Sequence, residues 1–316
     1  MKRKIALFLP RSDKVEYFWG KFKGSVNDFL NVKNYVSQLA LTDEEYNEPQ
    51  QNQIIENFVW RNVSGAIVAP AGPSVLNTIA NISNKQRVPL VLHDITPEDH
   101  DKFFSKKDIP APLYVTIDNK LGGQIAAEIM FNFLTKEKKI QLPYTILIIP
   151  GNNKQTHSKN RIEGFQRTLL QKTKSHVMFC MTEDGNWNYD DCLKVITDFI
   201  DNVLPNLPIE EIHGIFACND EMAICVNKVI DDKIKSSYPF KDKLANSIII
   251  GFDATKEIIR EIKNPRSRIV GTVDAKIEEQ AKRVANLIIS LIEDKKSKQR
   301  WEKHRDQLTV KPEPKI

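Results

Sequence analysis

The 316-residue chain is 41% apolar and carries 46 basic against 41 acidic residues, a formal net charge of +5. This length and apolar content accommodate one large core or two smaller ones, with two domains as the natural division. The basic excess is spread along the chain and gives no nucleic-acid footprint, and no apolar run reaches the roughly 18 residues that a membrane-spanning helix needs.

The start, MKRKIALFLPRSD, is basic, but its apolar segment 5–9 is cut short by Pro10 and is too brief for a signal-peptide core. It reads as the first strand. Further strand-like runs cover 35–41, 66–69, 90–92, 114–117, 145–149, 177–181, 212–217 and 248–252, all short and rich in Val, Ile and Leu. Helical spacing appears over 18–30, 50–62, 75–84, 122–134, 159–173, 190–203 and 221–234, and again in an amphipathic stretch around 284–292. Strands that are continuously apolar and alternate with helices suit parallel sheets covered on both faces. The pattern runs as two similar halves that change near Asp118. The fold expected is α/β, with two doubly wound parallel-sheet lobes. Residues 96–112, with three prolines and many charges, read as a loop, and 308–316, with Pro312 and Pro314, as a tail.

Known catalytic signatures are missing: there is no GxSxG, GxGxxG, Walker loop or HExxH. His93 and Asp94 are adjacent on a strand and point to opposite faces, so they make a poor base–carboxylate pair, while Asp94 alone closes the strand. Glu98-Asp99-His100-Asp101 reads as a solvated charged loop without metal-ligand spacing. The basic run 295–305, with Trp301 inside it, reads as a solvated helix end. Cys180, Cys192, Cys218 and Cys225 show neither CxxC nor Cys/His spacing, which argues against a zinc site and for buried free thiols. Cys218 and Cys225 can pair only if their geometry allows it.

Other residues lie where open α/β sheets bind ligands, at strand carboxyl ends. Three aromatics, Tyr17-Phe18-Trp19, follow the first strand and cannot all face one core. Aromatic faces suit the C–H faces of sugars, and Trp187, in the loop after strand 177–181, is a second such group. Asn219 ends IFAC and Asp253 ends IIIGF. In Asn219-Asp220-Glu221 either Asn219 or Asp220 caps the following helix, and a neighbour is then free to face a ligand. Arg161 opens a helix in KNRIEGF, where its charge opposes the helix dipole and so points to a partner.

The motifs VTIDNKLGGQIAAEIM (115–130), TILIIPGNN with KNRIEGFQRTL (145–169), GIFACNDEMAI (214–224) and SIIIGFDAT with IVGTVDAKIEEQAKRVANLI (247–288) occur in order. Together they resemble the sugar-binding type I periplasmic-binding proteins, the ribose-binding branch most of all, with the effector cores of lac-repressor-type regulators as relatives. The resemblance implies a hinge of three crossings between an N-terminal lobe, 1–117 plus 276–301, and a C-terminal lobe, 118–275 plus 302–316, with a ligand in the cleft. It implies Tyr17 and Phe18 as aromatic cover, Trp187 as the opposite wall, and Asp94, Arg161, Asn219 and Asp253 as polar contacts. Asp220 or Glu221 would then support the helix start.

The chain also departs from that branch. Ile95 stands in place of an Arg, Val15 of an Asn, and Ala275 of a Gln, which points away from ribose towards another monosaccharide, a polyol or a sugar-like signal. The expected function is reversible solute binding for an ABC uptake system, without catalysis and without cofactor or metal. The partners implied are a small polyhydroxylated ligand and a membrane permease or sensor protein, not nucleic acid, and the protein is expected to be a monomer. A ligand sensor that passes its state to a protein partner is the alternative. A leader removed from this sequence would make it periplasmic; reduced thiols otherwise favour the cytoplasm.

Overall fold

The computed structural model describes residues 2–11, 17–43, 46–86, 88–104, 111–236, 238–294, 297–302 and 308–316. Its contacts divide the chain into an N-terminal unit, 1–117 with 277–310, and a C-terminal unit, 118–276 with 311–316. The chain therefore passes from one to the other three times.

The N-terminal unit contains β1 (Arg3–Leu9), α1 (Phe18–Val32), β2 (Tyr35–Leu41), α2 (Glu48–Asn57), β3 (Gly65–Val68), α3 (Pro73–Gln86), β4 (Leu90–His93), α4 (Pro97–Phe104) and β5 (Leu113–Ile117). The C-terminal unit follows with α5 (Asn119–Asn132), β6 (Tyr144–Ile149), α6 (Thr156–Lys172), β7 (Val177–Met181), α7 (Tyr189–Asp198), β8 (Gly214–Ala217), α8 (Asp220–Lys235), α9 (Asp242–Ala245), β9 (Ile248–Phe252), α10 (Lys256–Ile262) and β10 (Ile269–Asp274). The chain then returns to the N-terminal unit through α11 (Ile277–Glu293), α12 (Ser297–Glu302) and β11 (Thr309–Val310), and ends in the C-terminal unit with β12 (Glu313–Lys315).

Each unit holds one six-stranded sheet, ordered β11-β5-β4-β3-β1-β2 in the first and β12-β10-β9-β8-β6-β7 in the second. All pairings are parallel except β10 with β12. The central strands are buried along their length, as in Ile5–Leu9 and Ile146–Ile149, which is the signature of a sheet covered by helices on both faces. In each sheet the chain winds outward in both directions from one strand, β1 or β6. The switch points of strand order, where such sheets form ligand crevices, are therefore β1/β3 and β6/β8.

Several expectations need correction. Residues 96–112 are not simply a loop, because α4 lies within them. The hydroxyl of Thr96 accepts from the Asp99 backbone and donates to its carboxylate, Pro97 fits the first helical turn, and buried His100 meets the Pro112 carbonyl at 2.8 Å. Pro97, Glu98 and Asp99, which looked like loop composition, instead form a capped helix start. The tail expectation for 308–316 also fails: Thr309 and Val310 pair with β5, and 313–315 pair with β10, with Pro314 tolerated on an edge strand. The helix expected over 50–62 ends at Asn57, where Phe58 turns extended and Trp60 Nε1 donates to the Ile55 carbonyl. That over 190–203 gives way at Phe199 to a turn of π-helix. Strand β10 was missed because Gly271 interrupts its apolar run; the register with β9 shifts there. Residues 295–296 and 303–307 of the basic run, and Val15, lie outside the described residues.

Candidate functional site: polar and aromatic groups at the strand ends

In the C-terminal unit, Arg161, Trp187, Asn219 and Asp253 come together at the carboxyl ends of β6 to β9. Glycine makes the approach possible. A Cβ on Gly123 of α5 would lie 2.0 Å from the Arg161 carbonyl, and one on Gly164 of α6 would lie 2.1 Å from that of Lys120. The two helix backbones are thus nearly in contact, and α6 carries Arg161 inward until its side chain is 5% exposed. Nε donates to Asn119 Oδ1 at 2.9 Å and Nη1 to the Cys218 carbonyl at 2.6 Å, with Asp253 Oδ1 3.9 Å away. The guanidinium lies 3.7 Å from the Phe252 ring centroid and 5.2 Å from that of Trp187. Buried charge is tolerated when it is paired and hydrogen-bonded in this way.

Arg161 is not at a helix start, as the sequence suggested, since α6 begins five residues earlier at Thr156. The dipole argument therefore lapses, and burial among polar partners is what singles this residue out.

Trp187 follows β7 with φ of 66°. Its six-membered ring lies over Gly151, where a Cβ would come within 2.3 Å, and its Nε1 donates to Gln155 Oε1 at 2.5 Å. His157 stacks on it at 5.1 Å. Asn219 is itself the cap of α8: Oδ1 accepts from the Met222 N–H at 2.9 Å while Nδ2 donates to the Trp187 carbonyl at 2.8 Å. One amide therefore joins two strand-end loops. Neither neighbour does the capping. Asp220 is fully buried and accepts from the Thr255 N–H and the Thr272 hydroxyl, and Glu221 accepts from the Tyr189 N–H. Burial raises Asp220 from 3.8 to about 6 against those hydrogen bonds. Asp253 has φ of 124°, a region unfavourable for a side-chain-bearing residue, and is 6% exposed.

The four cysteines are free thiols, as the sequence suggested, with Cys192, Cys218 and Cys225 buried and Cys180 only partly so. The Cys192 thiol interacts with Cys225, and this contact together with burial raises its pKa. Burial pushes Cys218 up to about 12.

In the N-terminal unit, Tyr17 and Phe18 sit at the start of α1 after β1, and Asp94 follows β4 with φ of 55°. Phe22 stacks on the His93 ring at 4.0 Å with the planes almost parallel, and the Phe18 ring lies parallel to it at 6.2 Å. His93 Nδ1 meets the Val115 carbonyl, and burial lowers its pKa to about 4. The ring is thus a neutral member of an aromatic stack beneath Phe18 and beside Asp94. Ile95 and Ala275 are buried, at 5% and 0% exposure, and present apolar side chains.

Sequence reasoning did not pick out Asn119, Gln155, His157, Phe252 or Asp220 in its buried role. Asn119, next to Asp118 at a strand-to-helix corner, had the same positional signal as Asn219. The others become visible only through packing. Among the described residues no group of three or more His, Cys, Asp or Glu side chains could hold a metal ion, and no helix is long and apolar enough to cross a membrane.

Comparison with solved structures finds a periplasmic solute-binding protein from Actinobacillus succinogenes with bound D-allose, 18% identical, with a TM-score of 0.73 and 92% of each chain covered. A carbohydrate-transporter solute-binding protein from Agrobacterium radiobacter in complex with D-arabinose is 18% identical with a TM-score of 0.72, covering 92% of this chain and 88% of that one. One from Bacillus halodurans with bound myo-inositol is 17% identical with a TM-score of 0.70, covering 92% and 89%. These likenesses establish the fold. Comparison with curated proteins finds no match. The sequence profile described as periplasmic binding protein domain matches residues 5–296, and the chain belongs to that family.

Proposed function

We propose that the protein reversibly binds a small sugar or polyol and serves as the solute-binding component of an ABC uptake system. The supporting observation is the cluster of Arg161, Asp253, Asn219 and Trp187 at the β6/β8 switch point of the C-terminal sheet. A guanidinium, a carboxylate and an amide held among aromatic rings match a ligand that has hydroxyls around its rim and C–H groups on its faces. The ligands of the allose-, arabinose- and inositol-bound structures belong to this chemical class. Tyr17, Phe18 and Asp94 are the proposed ligand-facing set of the N-terminal unit. Binding needs no covalent step and no cofactor. A membrane permease is the proposed reader of the loaded protein, and the periplasm its proposed location.

Titration calorimetry against a panel of aldoses, ketoses and polyols tests this reading. At least one member is expected to bind, with the signal lost in Arg161→Ala. A flat response across the panel would sink it.

A further inference from the structure

Among the described residues the C-terminal sheet leaves one edge unpaired. β7 pairs there only with β6, in continuous register from Tyr144↔Val177 to Ile148↔Met181. The Tyr144 N–H donates to the His176 carbonyl, and the Thr182 N–H to that of Ile148. Even-numbered residues of this strand therefore bond inward to β6, and the N–H and C=O of 177, 179 and 181 face the free edge. Exposed edges are usually blunted by proline, lysine, a bulge or shortness. The opposite edge of the same sheet obeys that rule, since β12 is three residues long and contains Pro314. β7 has none of these devices. Its sequence is VMFCM, and Met178 and Met181 are 42% and 41% exposed. A surface cavity of about 310 Å³ opens beside Met181, lined also by Val195, Phe199 and Val203, with Glu183 and Asp198 among its walls.

The charges that flank β7 identify what covers it. Lys172 and Lys174 precede the strand, and Glu183 and Asp184 follow it. A strand that is basic at one end and acidic at the other complements a second copy of itself laid antiparallel. Pairing centred on Phe179 sets Val177 opposite Met181, and the exposed Lys174, in the turn that precedes the strand, then lies towards the acidic end of the other copy. This pairing makes the three outward-facing residues hydrogen-bonded pairs across the two-fold axis, because odd positions meet odd positions. We propose that the protein self-associates as a two-fold dimer through antiparallel pairing of β7 with β7 of a second copy. This departs from the monomer implied by the family resemblance and does not depend on which ligand is bound.

Sedimentation equilibrium of the full chain from about 1 to 200 µM is the test, because a contact of this size is expected to be weak. A monomer–dimer equilibrium with a Kd on the order of tens of micromolar is expected, weakening as salt is added because opposite charges meet at both ends. Met181→Pro removes an N–H that has no partner in β6, and it should give a monomer with unchanged sugar affinity and melting temperature. Lys174→Glu should loosen the dimer about tenfold or more by bringing a negative charge to the acidic end of the other copy. Met178→Cys faces Cys180 of the second copy at a non-hydrogen-bonded position. Diamide, which takes up the two thiol hydrogens, should link that variant into a covalent dimer, whereas Val32→Cys, far along the chain on α1, should stay uncoupled. A chain that is monomeric throughout overturns the proposal and leaves the edge open to a segment of another protein. So does a dimer indifferent to Met181→Pro and Lys174→Glu.

Discussion

Arg161 illustrates how one side chain can be structural and still belong to the proposed ligand site. Its guanidinium bonds Asn119 and the Cys218 carbonyl and stands near Asp253, so truncation leaves buried acceptors without a donor. Arg161→Ala should cost about 3 kcal/mol of stability and weaken sugar binding by about 2–4 kcal/mol, read from denaturant midpoints and calorimetry. Asp253→Ala should weaken binding by a similar 2–4 kcal/mol, read by the same calorimetry. Equal stability losses in both variants would make them a purely structural pair. The positions of these residues could be read from the sequence, since each stands where a strand gives way to a helix. Their mutual contacts could not. The capping amide of Asn219 and the placing of His157 across Trp187 depend on which strand ends become neighbours, and a strand order of 7-6-8-9 is not contained in any local spacing.

The contact of α5 with α6 shows that a pair of elements can be held at one separation by what is missing from their surfaces. Gly123 and Gly164 lie against the opposing helix backbone, with no flexible side chain that could give way. Gly164→Ala should therefore force the helices apart, cost about 2–4 kcal/mol, and reduce sugar affinity by displacing Arg161. Gly24 in α1 is the control: nothing lies within 4 Å of a Cβ there, so Gly24→Ala should add roughly 0.5–1 kcal/mol through helix propensity alone. Thermal melts of the two variants separate these cases, and a neutral Gly164→Ala would refute the close approach. At this scale the sequence was most readable where burial is simplest. The runs at 35–41, 177–181 and 248–252 coincide with β2, β7 and β9, because apolar β-formers bounded by breakers have few alternatives. It was least readable at α4 and at β11 and β12, where prolines and charges serve as caps and edge residues. Local composition does not distinguish those uses from loop.

Across the whole molecule, each unit buries a titrating group, and the two act in opposite senses. In the N-terminal unit, burial holds His93 at about 4 instead of 6.5. Above pH 6.5 the ring is neutral in the folded and unfolded chains alike and contributes no pH dependence. Between 6.5 and 4 the unfolded chain takes up a proton that the folded one refuses, so stability falls, by about 3 kcal/mol over the window. In the C-terminal unit, burial raises Asp220 from 3.8 to about 6. The folded chain therefore keeps a proton that the unfolded chain has released. That contribution is fully present below 3.8 and is lost as pH rises through 6. Between pH 6 and 4 the two contributions oppose each other, and removing either should expose the other. His93→Leu keeps the apolar stack but no longer titrates, and its stability should climb relative to the unaltered protein as the solution is acidified from pH 6 to 4. Asp220→Asn keeps an acceptor for the Thr255 N–H and presents its amide to the Thr272 hydroxyl; its stability should fall relative to the unaltered protein over the same range. Denaturant midpoints at half-unit pH steps give both slopes, each expected to approach roughly 1 kcal/mol per pH unit. Three parallel curves would mean that neither buried group carries the proton balance assigned to it.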